Sequence, residues 1–248
     1  VNHDAPLPAV RPARAHVIVV GSEKAGAGKT TLALNIAAAL TRASQRIGVI
    51  DLDLSRRTLS RILSTRRVGS LAISAPADAR AFSAALQDFF PRCAYVIIDA
   101  ASVQDELSPA AHACADTLIT TLAHGVELGA TTPGASLTPS AYSEMVWEGR
   151  KQKLRARDGV IDWVVLRNRL ERRNAGSDAA LAALSARMGF RIAPGLSERA
   201  IVRDLFAQGR DLLDSAGRLS MPHVAARQEF REFLLTLKLP DLRSAIAA

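Results

Sequence analysis

The sequence predicts an α/β fold: a single doubly wound, mostly parallel sheet flanked by helices, spanning residues 16–248. Three observations predict it. Apolar β-type runs alternate with helical segments, the runs are apolar throughout, and the first runs straight into a glycine-rich loop and a helix. Strands separated by helical patterns are the mark of βα units in a parallel sheet. Strands without polar alternation are those covered on both faces.

The predicted strands are His16–Val20, Ile47–Ile50, Tyr95–Ile98, Thr117–Leu122, Trp163–Leu166 and Phe190–Ile192. A helix is expected at Leu32–Leu40, directly after the first strand and its loop. Ser197 reads as the N-cap of a helix over Glu198–Phe206, with Gly209 as its stop. The segment Phe230–Leu239 has an amphipathic look, but Pro240 and Asp241 interrupt it and its basic charge is thin. It is expected to pack against the domain rather than lie on a membrane. Residues 1–15 hold Pro6, Pro8 and Pro12 and no apolar run of a secretion signal, so they read as a disordered tail.

Composition narrows the class. Apolar residues make up 48% of the chain, yet no run approaches the ~20 residues of a membrane span. Cys93 and Cys114 are isolated, which suits a reducing cytoplasm and offers no C-x-x-C metal or redox site. His112 and His124 lack metal-ligand spacing. The net charge of +8 is uneven: residues 1–146 carry 13 basic against 12 acidic residues, and residues 147–248 carry 19 against 12. Either the surface is simply arginine-rich, or one half presents a basic face to a polyanion.

Phosphate chemistry is written into the first βα unit. Lys24-Ala25-Gly26-Ala27-Gly28-Lys29-Thr30-Thr31 lies between the first strand and the first helix. Such a loop turns backbone N–H groups inward, and the helix adds its positive end. Lys29 can reach the β/γ-phosphates of a nucleotide and the Thr30 hydroxyl can join the shell of a Mg²⁺ ion. Glu23 stands where the first glycine of the common G-x-x-x-x-G-K-[ST] pattern belongs. Instead the chain has a second lysine, Lys24, ahead of the loop.

Ligands of open parallel sheets sit beyond the carboxyl ends of the strands, so the residues after each strand matter. The second strand is followed by Asp51 and Asp53, and the third by Asp99. Carboxylates beside a phosphate loop can hold Mg²⁺ and orient an attacking water; Asp51 and Asp99 are the metal candidates and Asp53 the water-orienting one. Arg167-Asn168-Arg169 follows the Trp163–Leu166 strand. Asn168 there is a loop or cap residue on its own evidence. Arg187, Arg191, Arg199 and Arg203 form a candidate phosphate-facing cluster, with salt bridges to Glu198, Asp204 or Asp211 as their competing role. No aromatic residues interleave it, which argues against single-strand stacking.

The stretch Lys24–Thr30 resembles the deviant Walker A motif of the ParA/MinD ATPases, differing at Ala25. An alanine there is tolerable if its φ stays negative. The resemblance implies that Lys24 crosses an ATP-sandwich dimer to touch the partner's nucleotide, and that the Asn168 amide pairs with adenine. Val146-Trp147-Glu148-Gly149-Arg150-Lys151-Gln152, Asp162–Leu170, Gly189–Leu196 and Ala225–Glu229 further resemble the MipZ branch, and the likeness runs over residues 16–239. Pro194, in the third of these stretches, joins the nucleotide-binding candidates on that basis. The resemblance implies an ATP·Mg²⁺-dependent homodimer that binds double-stranded DNA without sequence preference, contacts a ParB-like centromere-binding protein and restrains FtsZ, with no membrane partner and a nucleoid-associated cytoplasmic location.

Three departures stand against that family pattern. Asp99 is followed by Ala100-Ala101-Ser102 in place of Thr-Pro-Gly. Thr120-Thr121-Leu122-Ala123-His124 lacks the family's Pro and Asn-Asp, and the segment between Asp53 and Tyr95 is short. Two functions stay open: a slow ATPase switch in division-site placement, and a nucleotide-binding adaptor that barely hydrolyses. A ParA-like positioner of another cargo is disfavoured by the Trp147–Lys151 match. The nitrogenase iron-protein class is disfavoured by the contexts of Cys93 and Cys114.

Overall fold

The computed structural model describes residues 14–66, 71–100, 105–123, 128–130, 138–170, 175–214 and 219–240. Tail residues 1–13, Ala101 and Ser102 after Asp99, His124 and Asp241 lie outside the described residues. Seven strands form one sheet in the order β3 (Leu71–Ser74), β2 (Ile47–Asp51), β4 (Tyr95–Asp99), β1 (His16–Gly21), β5 (Thr117–Leu122), β8 (Asp162–Arg167) and β9 (Arg191–Ile192). Every pairing in it is parallel. A separate antiparallel pair joins β6 (Gly129–Ala130) to β7 (Thr138–Pro139).

Side-chain alternation splits each strand between two cores. Ile18 and Val20 of β1 pack with Leu34, Ile36 and Leu40 of α1 (Lys29–Arg42), Leu59 of α2 (Thr58–Ser64), Leu205 of α7 (Ala200–Ala207) and Phe233 of α8 (Met221–Thr236). Val17 and Val19 face the other way, toward Phe82 and Phe89 of α3 (Ala79–Phe89), Ala111 of α4 (Ser108–Cys114), Tyr142 and Val146 of α5 (Ala141–Arg155) and Leu184 of α6 (Ala175–Met188). Fully burying one such aliphatic or aromatic side chain is worth about 1.5–3 kcal/mol. A one-residue slip of β1 would send each set into the core packed around the other, and that mismatch in close packing opposes the slip.

The register matters for function because it levels the strand ends. Asp99 pairs with Val20 on one side and with Asp51 on the other. The loop after β1 and the carboxylates after β2 and β4 therefore meet at one edge.

Three expectations change in their bounds, and the packing expected of the C-terminal segment is met. The folded body begins before residue 16: Arg14 donates to both oxygens of Asp116 at 2.9 and 3.0 Å, and Ala15 is buried. The helix expected from Glu198 starts at Ala200, with Arg199 at the N-cap. Ser197 is drawn away because it bridges to Leu170 and its N–H and hydroxyl both donate to Glu229. The amphipathic C-terminal segment extends back to Met221 and buries Phe230, Phe233, Leu234, Leu237 and Leu239 in the α1-side core. Among the described residues no helix is long and apolar enough to cross a membrane.

The Trp147–Lys151 stretch lies on α5. A Cβ on Gly149 would stand 3.2 Å from the Ala113 Cα, so the glycine lets α4 and α5 approach closely. Arg150 donates to the Met188 carbonyl at the end of α6 and stacks over the Trp147 ring at 5.6 Å.

Candidate nucleotide-binding site

The loop between β1 and α1 closes through two glycines in the left-handed region, Gly26 (φ 79°) and Gly28 (φ 84°). Gly28 is doubly constrained, since a Cβ there would fall 2.2 Å from the Asn168 amide nitrogen. Ala25 is not among the residues with positive φ. The replacement of glycine at this position therefore carries no backbone strain.

Ser22, which the sequence reading passed over, ties the two lysines of the loop together. Its hydroxyl accepts from Lys29 Nζ at 3.0 Å and donates to the Lys24 carbonyl at 2.7 Å. Lys29 is half-buried, and that burial lowers its pKa, with Asp99 and Asp53 offsetting part of the shift. Lys24 is exposed. No pattern rule marks a serine two residues before that lysine; only the fold brings it under Lys29.

The three aspartates do three different things. Asp51 is fully buried, and it accepts from the Asp53 N–H at 3.1 Å and from the Ser60 N–H and hydroxyl at 2.9 and 3.0 Å. It is an anchor for the first turn of α2 and is not brought to the pocket lining, contrary to its candidacy as a metal ligand. Asp53 does line the pocket. Burial works against its charge, but the Ser55 hydroxyl, the Arg56 N–H and the Arg56 guanidinium outweigh it and hold its pKa below the usual value.

Asp99 is the unusual one. Both carboxylate oxygens are buried and, among the described residues, neither meets a donor in full hydrogen-bond geometry. Burial, with Asp51 and Asp53 adding repulsion, pushes its pKa up to about 7; the Thr30 hydroxyl and Lys29 pull the other way. Thr30 is thus near enough to favour the charged form without completing a bond to it. An orphaned carboxylate beside the loop threonine fits a Mg²⁺ shell, an ion that keeps several waters and takes only one or two carboxylates.

These groups line a cleft of about 980 Å³ that runs from Gly26 and Thr30 past Asp53 and Asp99 to Asn168, Arg169, Glu198, Val202 and Phe206. Asn168 is in it, but its amide donates to the Ala27 carbonyl at 2.9 Å rather than projecting freely toward a base. Pro194 is exposed and is not brought to this lining.

The four arginines are not gathered on one face. Arg199 and Arg203 lie at the cleft, paired with Glu229 and Glu198 respectively. Arg191 is bound to both oxygens of Asp162, the first residue of β8, at 2.6 and 2.8 Å, and to the Thr236 carbonyl. Asp162 and the cleft residue Asn168 bracket the strand, roughly 20 Å apart at ~3.3 Å per residue. Arg187 is exposed near the end of α6. Helical and strand spacing place residues on faces locally but do not reveal which end of a sheet they reach.

A parallel doubly wound sheet with a glycine-rich phosphate loop at the β1–α1 junction, a lysine and threonine entering the helix and an aspartate at the adjacent strand end defines a P-loop nucleotide-binding protein. The family model for ATPase MipZ matches residues 16–74 and 69–241. The chain belongs to that family.

Solved structures agree on the fold. MinD of Aquifex aeolicus superposes with a TM-score of 0.60 at 18% identity, covering 91% of this chain and 99% of that one. MinD of Pyrococcus horikoshii, complexed with Mg-ADP, gives 0.63 at 16% over 92% and 98%. An ATP complex of Cyanothece McdA gives 0.60 at 18% over 95% and 98%. Among curated proteins, the iron-sulfur cluster carrier protein of Deinococcus radiodurans is 40% identical over 57 residues, which is 23% of this chain and 15% of that protein. The cytosolic Fe-S cluster assembly factor nubp2 of Xenopus tropicalis is 39% identical over 51 residues, 21% and 19% of the two lengths. The chain thus matches less than a fifth of either curated relative.

Proposed function

We propose that this protein is an ATP-driven dimerisation switch with slow turnover, acting in division-site placement. The observation that carries the reading is Asp99, a buried carboxylate that no donor among the described residues satisfies, beside Thr30 at the foot of the phosphate loop. Lys29 and the loop N–H groups hold the phosphates. Thr30, with Asp99 through water, would hold Mg²⁺, whose charge offsets that of the phosphate oxygens. Asp53, kept ionised and facing the cleft, orients the hydrolytic water. Lys24, exposed at the loop mouth, reaches the nucleotide of a second copy.

In this reading the dimer binds DNA without sequence preference, docks a ParB-like partner and restrains FtsZ at the nucleoid. Support for the DNA contact is the excess charge of residues 147–248 together with the exposure of Arg187 and Arg203. The adaptor reading is kept for one reason: Ala100-Ala101-Ser102 lacks the glycine whose N–H would face a γ-phosphate.

Nucleotide titration with and without Mg²⁺ tests the site. Asp99→Ala should remove most of the Mg²⁺ dependence of ATP affinity while leaving Mg²⁺-free binding intact. If ATP binds the wild type equally well without Mg²⁺, Asp99 has another role.

A further inference from the structure

Two consecutive residues after β8 grip the phosphate loop. Asn168 donates from Nδ2 to the Ala27 carbonyl at 2.9 Å, and Arg169 from Nη1 to the Gly26 carbonyl at 3.0 Å. No peptide bond here is cis. In a trans peptide the N–H points opposite to its C=O. Drawing the Gly26 and Ala27 carbonyls toward these side chains therefore turns the N–H groups of Ala27 and Gly28 the other way. A phosphate loop works through such N–H groups converging on one side.

The grip is built rather than incidental. Arg169 holds a left-handed backbone, φ 59°, which costs a residue with a side chain and persists only where its surroundings over-determine it. Its Nε donates to Glu198 at 2.8 Å, and Glu198 is held in turn by Arg203. The Asn168 amide packs so tightly on Gly28 that any Cβ there would displace it.

We propose that Asn168 and Arg169 are positioning residues that set the peptide orientation of the loop, so that triphosphate affinity depends on them whatever the base. This rests on the nucleotide-binding reading above and departs from a role for Asn168 in reading adenine. Arg169 and Glu198 then form a strut from the loop to the start of α7.

The test is calorimetric titration of the full chain with Mg·ATP and Mg·ITP, whose bases differ at the adenine 6-amino edge. Loss of one charge-assisted or amide hydrogen bond corresponds to an affinity loss of roughly five- to thirtyfold. Asn168→Ala and Arg169→Ala should each weaken ATP and ITP by the same factor within that range, leaving the ATP/ITP ratio and the binding stoichiometry unchanged. Glu198→Gln, which loosens Arg169 without touching the loop, should weaken both nucleotides by a smaller common factor. A misfolded variant would instead lower the stoichiometry, and Glu198→Gln then carries the decision. A fall in ATP affinity alone in Asn168→Ala, with ITP unmoved, would overturn the proposal, as would unchanged affinity in Arg169→Ala. A wild type that binds neither nucleotide would overturn the nucleotide reading itself.

Discussion

Ser60 donates both its backbone N–H and its hydroxyl to the same oxygen of Asp51, at 2.9 and 3.0 Å. With the Asp53 N–H on the other oxygen, this buried carboxylate is satisfied entirely by protein donors. Asp51→Ala should leave the half-buried N–H groups of Asp53 and Ser60 without their acceptor and cost roughly 2 kcal/mol of stability. Denaturant midpoints of the nucleotide-free protein measure it. A loss below about 1 kcal/mol together with a collapse of Mg²⁺-dependent binding would return Asp51 to the metal site.

Asp53→Ala should behave differently. Its carboxylate is bonded within its own turn to Ser55 and Arg56 and faces the cleft. A water-orienting group acts mainly in the transition state. Turnover should fall by roughly a hundredfold or more, as for a general-base-type contribution, while ATP affinity is little changed. Phosphate-release and binding assays on the same preparation separate the two. A wild type no faster than this variant would favour the adaptor.

Much of this was legible in the sequence, for a physical reason. Two-sided burial leaves strands such as Tyr95–Ile98 apolar throughout, and the phosphate loop needs glycines in a fixed order, so both write directly into composition. The edge strand Leu71–Ser74 escaped because it is half-buried, four residues long and carries no distinctive pattern. Asp51 and Asp99 look equivalent as strand-end aspartates. Only the placement of Ser60 nine residues on decides that one is consumed and the other orphaned. The arginine cluster failed in the same way: Arg191 meets Asp162 through the β8–β9 pairing, a long-range contact that local spacing does not encode.

That placement revises the DNA expectation. Arg191→Ala should destabilise the fold by about 1–3 kcal/mol through its bidentate pair and leave the salt dependence of DNA binding unchanged. At saturating Mg·ATP, which offsets the loss of the Arg203–Glu198 pair, Arg187→Ala with Arg203→Ala should weaken binding to all sequences alike and flatten the slope against salt by about one unit per lost phosphate contact. Filter binding over a range of salt concentrations reads both. An unaltered slope in the Arg187/Arg203 pair would put the DNA face elsewhere.

His112 supplies a pH dependence. It is buried, with Nδ1 donating to the Ser108 carbonyl at 2.7 Å, the Ser108 hydroxyl 3.4 Å away, Nε2 without a partner among the described residues and the Tyr142 ring edge-on at 5.4 Å. Burial, with the Lys29 charge adding to it against the Ser108 carbonyl, lowers its pKa to about 4. The unfolded chain therefore binds this proton first. The stabilisation is present above pH ~6.5 and is lost as pH falls toward about 4, at up to ~1.4 kcal/mol per unit. His112→Gln should flatten the fall in melting temperature between pH 6.5 and 5 relative to wild type. Parallel curves for the two proteins would assign the acid sensitivity to other groups.

The measurement that bears most directly on the switch is solution mass, by light scattering, with Mg·ADP and with a non-hydrolysable ATP analogue. Lys24 stands exposed at the mouth of the loop, its carbonyl accepting from the Ser22 hydroxyl, and the proposed switch sets its side chain against the phosphates of a second copy. The account predicts a 26.4 kDa monomer with ADP, a doubled mass with the analogue, and a monomer in both states for Lys24→Ala. The same mass for the wild type in both nucleotide states would contradict it.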